Sequence, residues 1–232
     1  MKIKAVATDV DGTLTDKEER ISCKAIEAIR NLEAKGISVI LASGNALCVL
    51  KTLKNYLGCS GALICENGAV VEYEGRIKVF GKLDNARSVL KRLKEKYGDK
   101  IVESWSNPYR LVDLALRRTI EKEKIIEVMS DFPNLNLLDS GYAYHILNKE
   151  VNKGKALEAV AELMGIGLNE IVAIGDSETD VEMFKAVSYG IAVANSPKSL
   201  KAVAKHVTAK GDGEGFFEAS ELILSKWLKS SY

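Results

Sequence analysis

The chain has few of the residues that build disulfides or zinc sites. Only His145 and His206 could act as imidazole ligands, and no CxxC pair occurs among the four cysteines, Cys23, Cys48, Cys59 and Cys65. We therefore expect neither a zinc centre nor a disulfide framework. Free thiols in a reduced, cytoplasmic setting fit this composition best.

An excess of charge and long apolar runs are missing too. Lys and Arg total 33 against 32 Asp and Glu, so the formal net charge is +1 and no basic excess points to a nucleic-acid partner. No apolar run approaches the roughly 20 residues of a membrane helix, and the start of the chain lacks a signal-peptide pattern. These absences favour a globular protein with no membrane partner. Its 232 residues suit one large domain or a core with a smaller insert.

What the sequence does contain is an alternation of strand-like and helix-like segments. Runs such as Val39 to Ala42 and Ile171 to Ile174 are continuously apolar. This is typical of parallel strands that are covered on both faces. The outer parts of the chain therefore predict the α/β class, with a Rossmann-like, doubly wound parallel-sheet core.

The middle of the chain follows another order. From Asp84 to Glu150 the pattern is helix, strand, strand, helix, strand, strand, with the first strand over Ile101 to Trp105. This order predicts a small antiparallel sheet with helices on one face. We expect residues 84–150 to form an inserted α+β cap domain, and residues 1–83 and 151–232 to form the catalytic core.

Small and polar residues follow each predicted core strand. In an open parallel sheet, ligands bind outside the carboxyl ends of the strands. Any one of these groups alone would be an ordinary turn, but five of them at one edge predict a site. They are Asp9, Asp11, Gly12 and Thr13; Ser43, Gly44 and Asn45; Glu66, Asn67 and Gly68; Gly175 to Asp180; and Asn195 with Ser196.

The chemistry of this edge follows from the residue types. Asp9, Asp11, Asp176 and Asp180 offer hard oxygen ligands without His or Cys, which suits Mg²⁺ rather than zinc. A divalent cation would also offset the repulsion between Asp9 and Asp11, two carboxylates one residue apart.

An anion pocket is predicted beside this metal site. Ser43, with the amides of Gly44 and Asn45 at a helix start, combines a hydroxyl, backbone N–H groups and a helix dipole. Lys153 opens another helix where the chain re-enters the core and could add a cation. A metal ion, carboxylates, a hydroxyl and a lysine around a dianion describe a phosphoryl-transfer site.

These motifs resemble the haloacid dehalogenase superfamily of phosphatases. Asp9-Val10-Asp11-Gly12-Thr13-Leu14 matches its DxDGTL motif, Ser43 its strand-end Ser/Thr, Lys153 its lysine, and Gly175-Asp176 with Asp180 its GDxxxD motif. The insert between the Ser43 and Lys153 motifs is similar to the α/β cap of the Cof-type branch. The chain looks closest to the archaeal phosphoglycolate phosphatases in that branch. Thr179 departs from the Asn that many Cof-type sequences carry in GDxxND.

The resemblance implies roles for the matched residues. Asp9 would be the nucleophile and Asp11 the acid and base, while Ser43, Gly44 and Lys153 would bind the phosphoryl group. Mg²⁺ would be held by the Asp9 carboxylate, the Asp11 main-chain carbonyl and Asp176, with Asp180 ordering a metal-bound water or Lys153. The substrate would be a small phosphorylated metabolite such as 2-phosphoglycolate, acted on by a monomer or a homodimer. In the cap, Arg110 is the candidate partner for a substrate carboxylate.

Plainer interpretations compete with several of these assignments. Lys153 could be a solvated lysine at a helix start, and Asp180 a residue of a surface helix. Glu66-Asn67-Gly68 is more typical of a structural turn, and His145 of a satisfied sheet residue.

Two rival functions also stay open at this point. One is a broad sugar-phosphate phosphatase of the same family. The other is a signalling receiver that is phosphorylated on Asp, although receivers are shorter and lack an inserted cap.

Overall fold

The computed structural model describes residues 2–228, which form two β-sheets with helices packed on them. The strands are β1 (Ala5–Thr8), β2 (Ser38–Ala42), β3 (Leu63–Cys65), β4 (Val70–Tyr73), β5 (Arg76–Val79), β6 (Leu114–Arg117), β7 (Leu135–Asp139), β8 (Ala143–Asn148), β9 (Ile171–Gly175), β10 (Tyr189–Ala192) and β11 (His206–Val207). The helices are α1 (Cys23–Ala34), α2 (Leu47–Leu57), α3 (Asp84–Tyr97), α4 (Lys122–Met129), α5 (Lys153–Met164), α6 (Val181–Ala186), α7 (Lys198–Val203) and α8 (Asp212–Ile223).

The larger sheet has eight strands in the order β11-β10-β9-β1-β2-β3-β4-β5. It is parallel from β11 to β3, and β4 and β5 add an antiparallel hairpin at one edge. A separate apolar cluster covers each face, one with Val6 and Val39 and the other with Ala5 and Ile40. The continuously apolar strands of the sequence are thus buried on both faces, and the predicted fold class is confirmed.

The register of the central strands explains why polar residues gather at one edge. Thr8, at the end of β1, pairs with Leu41 of β2 and with Ile174 of β9. The residues that follow these three positions leave the sheet at the same edge. This edge is the carboxyl end of the parallel strands, where ligands bind in open α/β sheets.

The smaller sheet has three antiparallel strands in the order β6-β8-β7. With α3 and α4 it encloses its own apolar cluster, which includes Val89, Leu116, Ile125 and Ile146. We refer to residues 84–148, from the start of α3 to the end of β8, as the cap.

One strand predicted in the cap is wrong. Ile101 to Trp105 makes only an isolated bridge between Glu103 and Leu116. Pairing with β6 stops at Ser104, because Asn107 takes the next two ladder groups: its N–H donates to the carbonyl oxygen of Ser104 at 3.1 Å, and its Oδ1 accepts from the N–H of Ala115 at 2.9 Å. This hydrogen bond from backbone to side chain competes with strand pairing, and a short 3₁₀ helix follows over Asn107–Tyr109.

Candidate active site

Asp9 and Asp11 follow β1 but have different partners. Asp9 is buried, and its Oδ1 lies 2.5 Å from Nζ of Lys153. Oδ2 of Asp11 accepts hydrogen bonds from Oγ of Ser43 at 3.2 Å and from Nδ2 of Asn45 at 2.9 Å. The two carboxylates that are neighbours in sequence therefore serve separate parts of the site.

Asp9 also belongs to a cluster of three carboxylates. One oxygen each of Asp9, Asp176 and Asp180 lie within 4.8 Å of one another. Both oxygens of Asp180 are already engaged, Oδ1 by Lys153 at 2.7 Å and Oδ2 by the backbone N–H groups of Asp176 and Ser177. Asp180 is therefore best placed to orient Lys153 and the Asp176 loop, while Asp9 and Asp176 are freer to bind an ion.

Electrostatics in this cluster favour a divalent cation. Burial raises the pKa of Asp9 well above its ordinary value, against the lowering effect of Lys153. Burial and the nearby Asp180 raise the pKa of Asp176 to about 6. Burial alone would lower the pKa of Lys153, but Asp180 and Asp9 together raise it, so its ammonium stays charged. The ammonium of Lys153 is thus shared among several crowded carboxylates. The oxygen atoms of these carboxylates are ligands that fit Mg²⁺.

A glycine allows the Asp176 carboxylate to approach the β1 loop. Gly12 has φ = +85°, and a Cβ atom there would lie 2.3 Å from Oδ2 of Asp176. The hydroxyl of Thr13 donates to Oδ1 of Asp176 at 2.8 Å. Gly12 and Thr13 of the DxDGTL motif therefore position the carboxylate of Asp176.

Ser43 and Gly44 lie beside Asp11, as the sequence predicted, but the helix start is different. The sequence predicted a helix from Asn45, whereas α2 begins at Leu47. The reason is that Oγ of Ser43 accepts from the backbone N–H of Asn45 at 3.1 Å, which closes a local turn. Asn45 thereby stays outside the helix, and its side-chain amide donates a hydrogen bond to Asp11.

A cavity of about 270 Å³ opens between the core and the cap. Asp9, Asp11 and Lys153 line it from the core, and Arg110 and His145 line it from the cap. Of the six residues to which the sequence assigned catalysis or substrate binding, five therefore line this cavity, together with a histidine that the sequence favoured as a sheet residue. The sixth, Ser43, is buried behind Asp11 and hydrogen-bonds to it.

Arg110 is buried rather than exposed on the cap surface. Its Nη1 lies 2.9 Å from Oδ2 of Asp113 and 2.9 Å from the carbonyl oxygen of Gly44, and its Nε donates to Ser106. Trp105 and Tyr109, which precede it in the same loop, are mostly exposed.

Other residues of the site were missed, or assigned a structural role, at the sequence level. The buried carboxylate of Glu66 accepts backbone N–H groups from Leu111, Val112 and Asp113, all within 3.2 Å, and so joins the third core strand to the cap. Asp113 itself accepts from Nδ1 of His145 at 2.7 Å. The only sequence signal was that Glu66 and Asn67 follow a core strand, because their partners lie more than 40 residues away.

The fold and this arrangement of carboxylates, hydroxyl and lysine are those of a family of hydrolases. The model of the haloacid dehalogenase-like hydrolases matches residues 6–102 and 81–219. The chain belongs to this family, whose phosphatases act on small phosphorylated substrates. Among residues 2–228, no helix is both long and apolar enough to cross a membrane.

Individual proteins are similar to this chain over nearly its full length. It is 42% identical to a phosphoglycolate phosphatase of Archaeoglobus fulgidus, over 96% of this chain and 97% of that protein. It is 37% identical to a phosphoglycolate phosphatase of Staphylothermus marinus, over 97% and 99%. The crystal structure of a Thermoplasma acidophilum protein, 30% identical, superposes with a TM-score of 0.87 over 98% of this chain and 99% of that one.

Proposed function

We propose that the chain is a Mg²⁺-dependent phosphatase that hydrolyses 2-phosphoglycolate to glycolate and phosphate. The observation that carries the proposal is the position of Lys153, whose ammonium contacts both Asp9 and Asp180. Asp11 makes different contacts, because its carboxylate accepts hydrogen bonds from Ser43 and Asn45. Nucleophile, cation and proton-transfer group are thus separate and meet at one cavity. The relatives named phosphoglycolate phosphatases support the choice of substrate.

In the first step we infer that an Asp9 carboxylate oxygen attacks phosphorus in line. A bond forms between Asp9 and phosphorus, and the bond from phosphorus to the glycolate oxygen breaks. Asp11, whose pKa burial raises, supplies the proton that the leaving alkoxide takes up. Asn45 and Ser43 hold the Asp11 carboxylate in place for this transfer.

In the second step Asp11 accepts a proton from water. The water oxygen attacks phosphorus, the bond to Asp9 breaks, and inorganic phosphate leaves. Lys153 holds Asp9 throughout and contributes positive charge next to the phosphoryl oxygens. When bound at Asp9 and Asp176, Mg²⁺ would neutralise part of the phosphoryl charge.

The domain arrangement and the cellular setting belong to the same proposal. We infer that residues 1–83 and 151–232 form the catalytic core and that residues 84–150 form a cap domain that closes over the substrate. We also infer a cytoplasmic enzyme that acts as a monomer or a homodimer. The four free cysteines agree with a reduced compartment.

Steady-state kinetics with Mg²⁺ across 2-phosphoglycolate, sugar phosphates and nucleotides tests the proposal. We expect the highest kcat/KM for 2-phosphoglycolate, with many turnovers per enzyme. An equal or higher kcat/KM for sugar phosphates would contradict the assignment of 2-phosphoglycolate as the substrate. A lasting phosphoprotein without phosphate release would contradict phosphatase activity.

The nucleophile is tested by Asp9→Asn. We expect kcat to fall by about 10³-fold or more, because the attacking carboxylate oxygen is lost. Asp16→Asn is the matched control in the same loop, since within the described part of the chain the side chain of Asp16 hydrogen-bonds only to the nearby Glu18 and Arg20. Activity of Asp9→Asn close to that of the control would exclude Asp9 as the nucleophile.

A further inference from the structure

Two serine side chains and an arginine form a short chain of hydrogen bonds on the cap side of the cavity. Nε of Arg110 donates to Oγ of Ser106 at 3.1 Å, and the hydroxyl oxygens of Ser106 and Ser104 lie 2.9 Å apart. Both serines line the cavity, together with Arg110. The chemistry proposed for Asp9 and Asp11 does not use either serine.

The direction of this chain follows from its protons. A guanidinium only donates, so Ser106 accepts from Arg110 and keeps its own hydroxyl proton. Ser106 is 3% exposed, and among residues 2–228 the only acceptor that its hydroxyl contacts is Oγ of Ser104. Ser106 therefore donates to Ser104, whose oxygen also accepts the backbone N–H of Ser106 at 3.4 Å. The hydroxyl proton of Ser104 is then the one left without a partner in the chain.

The remaining hydroxyl proton is available to a ligand in the cavity. Within the described part of the chain, the Ser104 hydroxyl has no acceptor, while its oxygen is occupied by Ser106. Ser104 is only partly buried and lines the cavity. Hydrogen bonds that follow one another polarise each other, so a hydroxyl at the end of a chain that starts at a cation is a stronger donor than an isolated one. The chain therefore offers one polarised O–H group to an acceptor.

This donor lies close to the predicted anion pocket, because Arg110 connects the two. Nη1 of Arg110 donates to the carbonyl oxygen of Gly44 at 2.9 Å, and Nε of the same guanidinium donates to Ser106. One guanidinium thus separates the loop after β2 from the serine pair. A substrate that contacts both needs only a short linker between its two anionic groups, as in 2-phosphoglycolate.

The charges of the two cavity walls favour an anionic group on the cap side. Among the described residues, Arg110 is the one charged side chain of the cap that lines the cavity, and Asp113 offsets its charge at 2.9 Å. The core wall carries the carboxylates of Asp9 and Asp11, which repel a substrate carboxylate. Since the cap wall has no excess of positive charge, recognition of an anion there depends on hydrogen-bond donors such as Ser104.

We propose that the hydroxyl of Ser104 donates a hydrogen bond to the carboxylate of the substrate, and that Ser106 is the positioning residue that orients this hydroxyl. The inference rests on the proposed phosphatase function and names a group that selects phosphorylated hydroxy acids over neutral phosphate esters. Arg110 contributes through Nε, which polarises the serine pair.

The test compares two substrates that differ only at the end remote from phosphorus. 2-Phosphoglycolate has a carboxylate where 2-hydroxyethyl phosphate has a neutral CH₂OH group, and both release a primary alkoxide. For the holoenzyme with Mg²⁺, the ratio of kcat/KM for the two compounds measures recognition of the carboxylate, whatever the fraction of active enzyme. We expect Ser104→Ala to lower this ratio by about 10- to 100-fold, the effect of a hydrogen bond to a charged group, mainly through KM for 2-phosphoglycolate.

Three further variants show whether the hydroxyl itself is responsible. Ser104→Thr keeps a hydroxyl and should retain most of the ratio. Ser106→Ala should lower the ratio, because the Ser104 hydroxyl loses the neighbour that orients it. Ser88→Ala is the matched control in the cap, since Ser88 donates to the carbonyl oxygen of Asp84 in its own helix and does not line the cavity, so the ratio should stay unchanged.

The outcomes separate this inference from the proposed function. A wild-type preference for 2-phosphoglycolate that persists in Ser104→Ala would overturn the inference and leave the function intact, and so would an equal loss of kcat/KM for both compounds. A wild-type enzyme that hydrolyses both compounds equally well would overturn both the proposed substrate and the carboxylate site. If Ser106→Ala does not accumulate as folded protein, the ratios in Ser104→Ala and Ser104→Thr decide alone.

Discussion

The ammonium group of Lys153 lies 2.5 Å from Oδ1 of Asp9, and both side chains are buried. The same ammonium lies 2.7 Å from Oδ1 of Asp180. A single buried cation therefore balances two buried carboxylates, Asp9 and Asp180, that lie far apart in the sequence. Removing it would leave two buried carboxylates without their cation.

We expect Lys153→Met to lower kcat/KM by about 10²-fold or more, because orientation of the nucleophile and charge on the phosphoryl oxygens are both lost. The free energy of unfolding should fall by about 3–5 kcal/mol, the usual cost of breaking a buried ion pair on one side. Urea denaturation and steady-state kinetics measure the two effects.

Lys155→Met is the matched control for this substitution. Lys155 lies two residues further along α5 and forms an exposed ion pair with Glu150. Its loss should change stability by no more than about 0.5 kcal/mol. Equal losses in the two variants would show that the Lys153 contact has no special role.

Gly12→Ala should damage the site more than the fold. The side chain would combine a left-handed backbone with a Cβ 2.3 Å from Oδ2 of Asp176. The carboxylate has to move, and a displacement on the order of 1 Å can cost about 10²-fold in rate. Measuring kcat/KM at saturating Mg²⁺ and the Mg²⁺ dependence of activity checks this expectation.

Gly36→Ala separates backbone strain from this clash. Gly36 has a similar φ of +75°, but apart from its chain neighbours no atom of residues 2–228 lies within 4 Å of the position of its Cβ. We expect it to lose about 1–2 kcal/mol of stability while kcat/KM stays unchanged. If Gly12→Ala behaves in the same way as Gly36→Ala, the contact with Asp176 does not matter for catalysis.

Glu66→Gln should weaken the contact between core and cap. The carboxylate accepts three successive backbone N–H groups of the cap, and an amide would turn a donor toward one of them. We expect a loss of about 1–3 kcal/mol in unfolding free energy and a lower kcat/KM, because cap residues of the cavity shift.

Glu33→Gln tests whether the kinetic effect is specific to the cap. Glu33 also accepts two backbone N–H groups, from Val39 and Ser60, but both lie within the core. Its substitution should reduce stability without altering kcat/KM. A comparable kinetic loss in both variants would exclude a separate role for Glu66.

Thiol reactivity should divide the cysteines into two pairs. Cys23 and Cys48 are exposed, whereas Cys59 and Cys65 are buried. Burial and the nearby Glu33 raise the pKa of Cys59 to about 12, and burial and Glu66 raise the pKa of Cys65. The thiolate is the reactive form, so moderately alkaline pH should not produce reactive thiolates at the buried pair.

Titration with a disulfide reagent in the native state should therefore modify two thiols quickly. The other two should react only after denaturant is added, and mass spectrometry locates the modified residues. Fast modification of Cys65 in the native protein would contradict the packing of β3.

Much of the core site could be predicted because its residues act at the ends of predictable strands. Asp9, Ser43 and Asp176 follow apolar runs whose length and composition mark buried parallel strands. In a parallel sheet the carboxyl ends of the strands lie at the same edge, so these three positions come together there.

The cap was harder to predict because short-range and long-range contacts compete there. The strand expected over Ile101 to Trp105 is reduced to one bridge, since Asn107 takes the backbone groups that would extend it, and hydrophobic periodicity does not reveal such a contact. Glu66 looked like part of an ordinary turn because its acceptor role depends on backbone N–H groups 45 to 47 residues away.

By itself, the sequence determined the α/β class, a second antiparallel sheet in the middle of the chain, and the carboxylates, hydroxyl and lysine that gather at the edge of the larger sheet. Hydrophobic pattern and local motifs carry that information because each depends on neighbouring residues. Only the tertiary structure decided that Lys153 and Asp180 are buried together, that Arg110 turns inward, and that Asp113 contacts His145 beside the cavity. Burial and the choice of a hydrogen-bond partner are properties of the packed chain, in which residues far apart in sequence exclude water from the same space.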